Sequence, residues 1–129
     1  MIMTNNAAAF ARQAEFRLYA YKDLRAKLHS DVMHLNSLKR ENQQHPNIKT
    51  LHSAIKESVR ELTKIEDAVK SVLEDYYGEV MTLRYFERKT DEQIAELLSC
   101  DVSTVRRNRK RLLKRIAVRI FGAAAIETD

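Results

Sequence analysis

Val102-Ser103-Thr104-Val105-Arg106-Arg107-Asn108-Arg109-Lys110-Arg111-Leu112-Leu113-Lys114-Arg115-Ile116-Ala117-Val118-Arg119 carries eight basic side chains and no acidic one. An apolar stripe runs through it: Val105, Leu112, Ile116 and Ile120, at steps of seven, four and four. A helix with that pattern buries one side and turns a dense cationic surface outward. The stretch just before it, Thr90 to Leu98, reads as a short amphipathic helix. Thr90 can cap it, and Gln93 at the third position completes a capping box. Ser99 and Cys100 form the turn. Asp101 is placed to cap the basic helix, with its carboxylate accepting from backbone N–H near Ser103 or Thr104. Two short helices joined by a tight turn, the second strongly basic, have the form of a helix-turn-helix that reads DNA.

Composition supports an all-α protein. The chain has 129 residues with only two glycines and one proline, so helix breakers are scarce. The net charge of +5 is unevenly placed. Residues 46–76 hold five basic and six acidic side chains, whereas the last third is strongly basic. A localised excess matters more than the total, because a polyanion meets a surface. Cys100 is the sole cysteine, which rules out an internal disulfide. No apolar run approaches the ~18 residues of a membrane span. The stretch Met1 to Ala9 lacks the layout of a signal peptide, so a cytosolic protein is expected.

Outward from the basic segment, Glu79 to Arg88 reads as a helix that buries Val80, Leu83 and one or both of Tyr85 and Phe86. Gly78 marks the joint before it. A long helix is expected from about Phe10 to Asn42, with residues 1 to about 8 frayed. Its later apolar positions are Tyr21, Leu24, Leu28, Val32, Leu35 and Leu38. Gln43 to Asn47 breaks it at Pro46. A second long helix runs from about Ile48 to Asp75. There Ile48, Ile55, Leu62, Val69 and Tyr76 recur every seven residues, with Leu51, Val59, Ile65 and Val72 between them. The two seams and the short loop predict an antiparallel helical hairpin. The expected architecture is thus a hairpin over residues 1–76, for support or oligomerisation, and a three-helix helix-turn-helix unit over 77–129. That unit is close to the lower size limit for autonomous folding, so the last turns of the second long helix are expected to pack on it.

The segments Glu79-Val80-Met81-Thr82-Leu83-Arg84-Tyr85-Phe86, Ile94-Ala95-Glu96-Leu97-Leu98 and Ser103-Thr104-Val105-Arg106-Arg107 resemble the DNA-binding region 4 of sigma-70-type factors. With Ile65 to Leu73 upstream and Arg107 to Leu113 downstream, the pattern is similar to phage late-gene transcriptional regulators of the RinA/ArpU type. The resemblance covers about Ile65 to Phe121. It implies sequence-specific DNA binding that controls transcription in a phage or prophage. Two positions depart from the pattern. Ser99 stands where such turns usually carry glycine, and Asn108 where the late-gene regulators often carry an aromatic. The regions that would melt a promoter are absent, so the resemblance does not extend to a complete sigma factor.

On the exposed side of the basic helix the expected residues are Ser103, Thr104, Arg106, Arg107 and Lys110. Arg106, Arg107 and Lys110 are the candidates for base or near-base contacts, since arginine can fork onto guanine O6 and N7. Thr104, Arg111, Lys114 and Arg115 are candidates for phosphate contacts, as is Lys89 before the shorter helix. Arg109 falls beside the buried stripe, where its stem can pack while its head snorkels outward.

Enzyme chemistry is not visible. His29, His34, His45 and His52 form no metal-ligand spacing, and Cys100 has no base placed for it. No catalytic residue, metal or cofactor is expected. The expected partners are double-stranded DNA and a second copy of the chain, since paired readers bind half-sites about one helical turn apart. The segments Ala7 to Phe10 and Phe16 to Tyr19 are the expected partner-facing surface. RNA polymerase is a further candidate partner. Two other functions fit the same features: a small terminase-like DNA-packaging recognition subunit, and a protein-interaction module acting on RNA polymerase.

Overall fold

In the computed structural model, residues 6–126 are described, and every regular element among them is helical. Helix α1 spans Asn6–Tyr19, α2 Tyr21–Glu41 and α3 Asn47–Lys70. Helix α4 comprises the α-helical turn Glu79–Met81 and the π-helical turns Thr82–Phe86 that continue it. Helices α5 (Asp91–Leu98) and α6 (Val102–Phe121) follow, and a 3-10 turn (Gly122–Ala125) closes the described chain. The all-α architecture, with its helical hairpin and C-terminal helix-turn-helix, is as expected. The expected fraying of residues 1–8 lies outside the described residues for 1–5, whereas Asn6, Ala7 and Ala8 are helical.

The long N-terminal helix is not continuous. It bends at Ala20, where ψ flattens to −7°, although Ala20 N still donates to Phe16 O and Leu24 N to Ala20 O. Tertiary packing sets the bend. The two tyrosines flanking Ala20 both reach α4: Tyr19 edges onto Tyr85 with centroids 4.9 Å apart, and Tyr21 stacks on Phe86 at 4.2 Å. Such aromatic pairs add stabilisation beyond their buried area. The bend directs α1 along α6, while α2 pairs with α3 as the hairpin.

Helix α3 ends at Lys70, earlier than its heptad pattern suggests. Its seam also drifts, because Ser58 is buried while Val59 is exposed; Tyr76, beyond the helix end, is exposed in the connector. A straight α-helix slips against a strict seven-residue repeat, so one apolar position per few turns rotates outward. The connector of residues 71–78 folds back on itself at Gly78. A Cβ there would lie 2.2 Å from the Val72 carbonyl oxygen, so only glycine permits the approach.

Two cores result. The larger joins Ala14 and Leu18 of α1, Leu62, Ile65 and Val69 of α3, Tyr85 of α4, and Leu112 and Ile116 of α6. The end of α3 therefore packs on the C-terminal unit, as its small size requires. The smaller core, Val80, Leu83, Ile94, Ala95 and Val105, locks α4, α5 and α6 together. Both segments expected to face a partner are partly taken up by packing: Ala7 and Leu18 are buried, and Phe10 sits against Phe121 at 5.1 Å, whereas Phe16 and Tyr19 are exposed. Phe16 alone projects strongly, at 77% exposure.

Candidate nucleic-acid interface

The turn that presents α6 is built from local chemistry. Thr90 Oγ1 accepts from Gln93 N at 3.1 Å, and Gln93 Oε1 accepts from Thr90 N at 2.9 Å, forming the capping box. Helix α5 ends at Ser99 in the left-handed region, with φ 55°. Cys100 N then reaches back to Ala95 O at 3.0 Å, which satisfies a terminal carbonyl. Asp101 is the N-cap of α6, but its carboxylate makes no capping bond. Its backbone carbonyl accepts from Thr104 N and Val105 N, closing the first turn, while the exposed side chain stays in solvent. Its negative charge still complements the positive end of the helix dipole.

Helix α6 buries Val105, Asn108, Leu112, Leu113, Ile116 and Ala117. Asn108 is thereby turned away from the outer face. Its Nδ2 donates to Thr104 O at 2.9 Å, and its Oδ1 accepts from Arg111. Opposite the buried side lies a crest made of Ser103, Arg107, Lys110 and Lys114, all exposed, with Thr104 half-buried beside it. Among the described residues, Arg107 and Lys110 meet no carboxylate and no hydrogen-bond acceptor.

The cations flanking that crest are held by acidic residues. On one flank, Arg106 Nη2 donates to Glu92 at 3.1 Å, and its Nε lies 3.5 Å from Asp91. On the other flank, Arg111 forks onto Asp75 with bonds of 2.9 and 2.8 Å, and Arg115 joins the same carboxylate at 3.2 Å. The Arg111 bonds, aided by the Tyr77 backbone N–H, hold the Asp75 carboxyl well below the usual carboxylate range. Arg119 forks onto Asp67 in the same manner. Lys89 is half-buried beside α5, near Gln93, Glu96 and Leu97, away from the crest of α6.

Arg109 departs most from expectation. Its head does not snorkel, and its side chain is only 12% exposed. Nε and Nη2 fork onto Asp91 at 3.2 and 3.1 Å, while Nη1 donates to Glu15 at 3.1 Å and to the Tyr85 hydroxyl at 3.4 Å. Tyr85 in turn donates to Glu15 at 2.6 Å. Burial opposes the charge on Arg109, but the bonds to Asp91 and Tyr85 outweigh it and keep the guanidinium protonated. Burial, then the bond to Glu15, pushes the Tyr85 hydroxyl far above its ordinary range, so it stays a donor. One guanidinium thus ties α6 to α1, α4 and α5, with all three of its nitrogens bonded, because enclosing a charge is costly unless it is paired and hydrogen-bonded.

The partner carboxylates Glu15, Asp75 and Asp91 come from 94, 36 and 18 residues away along the chain. No local spacing announces them. Asp91 alone carried a signal, as an acidic residue in the first turn of α5. Among the described residues, no group of three His, Cys, Asp or Glu gathers as a metal site. No helix among them is long and apolar enough to cross a membrane.

Comparison with known proteins gave one family. Residues 67–116 match the family described as Sigma-70, region 4. The matched span runs from the end of α3 through most of α6, so the chain carries a sigma-70 region 4-like helix-turn-helix domain, a DNA-binding unit of transcriptional regulation. Neither the curated proteins nor the solved structures gave a match.

Proposed function

We propose that this protein is a sequence-specific DNA-binding transcriptional regulator of the phage late-gene activator type, and not an enzyme. The observation that carries the reading is the crest of α6. Ser103, Arg107 and Lys110 project from its leading half, unobstructed, within a region 4-like domain. A helix presented this way fits the major groove, where base edges differ between all four pairs. Arg107 and Lys110 are the readers, with Arg106 beside them once Glu92 releases it. Thr104, Arg111, Lys114, Arg115 and Lys89 steer the duplex through its phosphates.

Residues 77–129 supply recognition, and residues 1–76 supply support and self-association. The α2–α3 hairpin leaves Leu24, Leu28, Val32, Ile48, Leu51 and Ile55 only half-buried, and Phe16 stands out beside it. A second copy covering that surface would give a dimer that reads two half-sites. Acting on promoters in the cytoplasm, the dimer would contact RNA polymerase.

Selection of bound sequences from a random duplex pool tests the reading. A consensus is expected, with an inverted repeat if the protein binds as a dimer. A pool that stays random after repeated rounds, despite measurable binding, would leave only electrostatic attraction and defeat the assignment.

A further inference from the structure

We propose that α1 is a second DNA-contacting helix, with Arg12 binding a backbone phosphate beside the major groove that α6 occupies. The proposal rests on the functional reading above for the placement of α6.

The bend at Ala20 lays α1 along α6, and the groove between them is lined by Arg12, Arg109, Lys110 and Lys114 around an apolar floor that includes Leu113. Its lone carboxylate, Glu15, is committed to Arg109 and Tyr85, and Arg109 is itself neutralised by Glu15 and Asp91, so Arg12 and Lys110 are the cations without a carboxylate among the described residues. The groove at the Ala20 bend sets Arg17 and Lys27 against Asp23 and Glu61, and so is balanced. The groove along the hairpin sets one lysine, Lys27, against Glu57 and Glu61. The α1–α6 groove is therefore net positive where those two are balanced or negative, and a polyanion is its complement.

Dimensions point to the phosphates and not the bases. The major groove is about 12 Å wide, and a helix with its side chains fills about 10–12 Å. A helix packed beside α6, at the usual interaxial distance of about 8–10 Å, lies outside the groove and against its sugar–phosphate wall. Arg12 is exposed on that neighbouring helix and, among the described residues, has no acceptor of its own. Composition hid this role, because Arg12 lies 98 residues from Lys110 in the chain.

Salt titration of anisotropy, with a random-sequence duplex of about 25 base pairs and with a selected duplex, tests the proposal. Replacing Arg12 by Ala should weaken both complexes about three- to tenfold near 0.1 M salt. It should also lower the log–log salt slope by about one, with the preference between the duplexes unchanged. Arg12→Lys should restore the slope. An unchanged slope and affinity, or a loss of preference alone, would overturn the proposal. The random duplex separates the two readings: a wild-type protein without any sequence preference sinks specific regulation, yet Arg12 is still judged by its slope. A protein that binds no duplex overturns both.

Discussion

Arg109 and Arg111 stand two residues apart on α6, and both fork onto a carboxylate, yet their settings differ. Arg109 is enclosed, at 12% exposure, among Asp91, Glu15 and Tyr85. Arg111 is 44% exposed, and its partner Asp75 shares itself with Arg115 at the surface. An enclosed pair is costly to break because its survivor is stranded without water. An exposed pair exchanges partners easily and contributes little to stability. One arginine is therefore part of the frame that orients the helix, and the other is a cation that a phosphate can take over.

Breaking the enclosed network is the most severe test of that contrast. Arg109→Met removes the fork onto Asp91, leaving that buried carboxylate only the longer approaches of Arg106 at 3.5 Å and Arg84 at 3.9 Å, and should cost about 3 kcal/mol. Thermal unfolding followed by circular dichroism should show a midpoint lowered by on the order of 10 °C. Arg109→Lys should recover only part of the loss, since an ammonium cannot reproduce the planar fork. A midpoint within a degree or two of the wild type would mean the network is decorative. The equivalent change at Arg111 should leave the midpoint nearly unmoved.

The crest sharpens the contrast from the other side, since among the described residues the Arg107 side chain meets no acceptor. Arg107→Ala should leave thermal unfolding unchanged and reduce discrimination between a selected duplex and its single-base variants. The expected loss is about 1–3 kcal/mol at one position of the site. Equal weakening on every sequence would instead assign Arg107 to a phosphate.

Asp75→Asn probes the exposed pair. The asparagine keeps an acceptor for Tyr77 N but surrenders the charge that holds Arg111 and Arg115. Duplex affinity should rise several-fold at low salt, and the gain should shrink as salt screens both proteins' charges. The depressed ionisation of Asp75 fixes the pH range. Its pairing is complete above the unfolded carboxylate value of about 4, and is lost only as pH falls through its lower folded value. The difference between the two proteins should therefore be flat from pH 6 to pH 8. Weaker binding by the variant would make Asp75 a positioning residue for Arg111 instead of a competitor.

What the chain announced in advance follows the range of the interactions involved. The capping box of Thr90 and Gln93, the αL turn and the cationic crest depend on neighbours within a few residues, and all are legible in order. The bend at Ala20 is not, because it answers to Tyr85 and Phe86, more than sixty residues distant. The pairing of α6 arginines likewise depends on carboxylates that only the fold brings near. The eight cations between Arg106 and Arg119 therefore overstate the charge offered to a ligand: Arg106, Arg109, Arg111, Arg115 and Arg119 are each engaged by an acidic side chain. The spacing that put Arg109 next to the buried stripe was informative about its stem, and misleading about its head.

The smallest expected effect concerns the one joint where backbone conformation, and not charge, aims α6. Ser99 adopts φ 55° and ψ 48°, a region that disfavours a side chain. Ser99→Gly relieves that strain, while glycine's greater freedom in the unfolded chain offsets part of the gain. A net stabilisation of a few tenths to about 1 kcal/mol is expected, measured by denaturant unfolding. Ser99→Val should act in the opposite direction and more strongly, because a β-branched residue is poorly tolerated at positive φ. Duplex affinity should be unchanged by the glycine and reduced by the valine. If both variants unfold like the wild type, the turn adapts freely and the burden of aiming α6 falls on Arg109 alone.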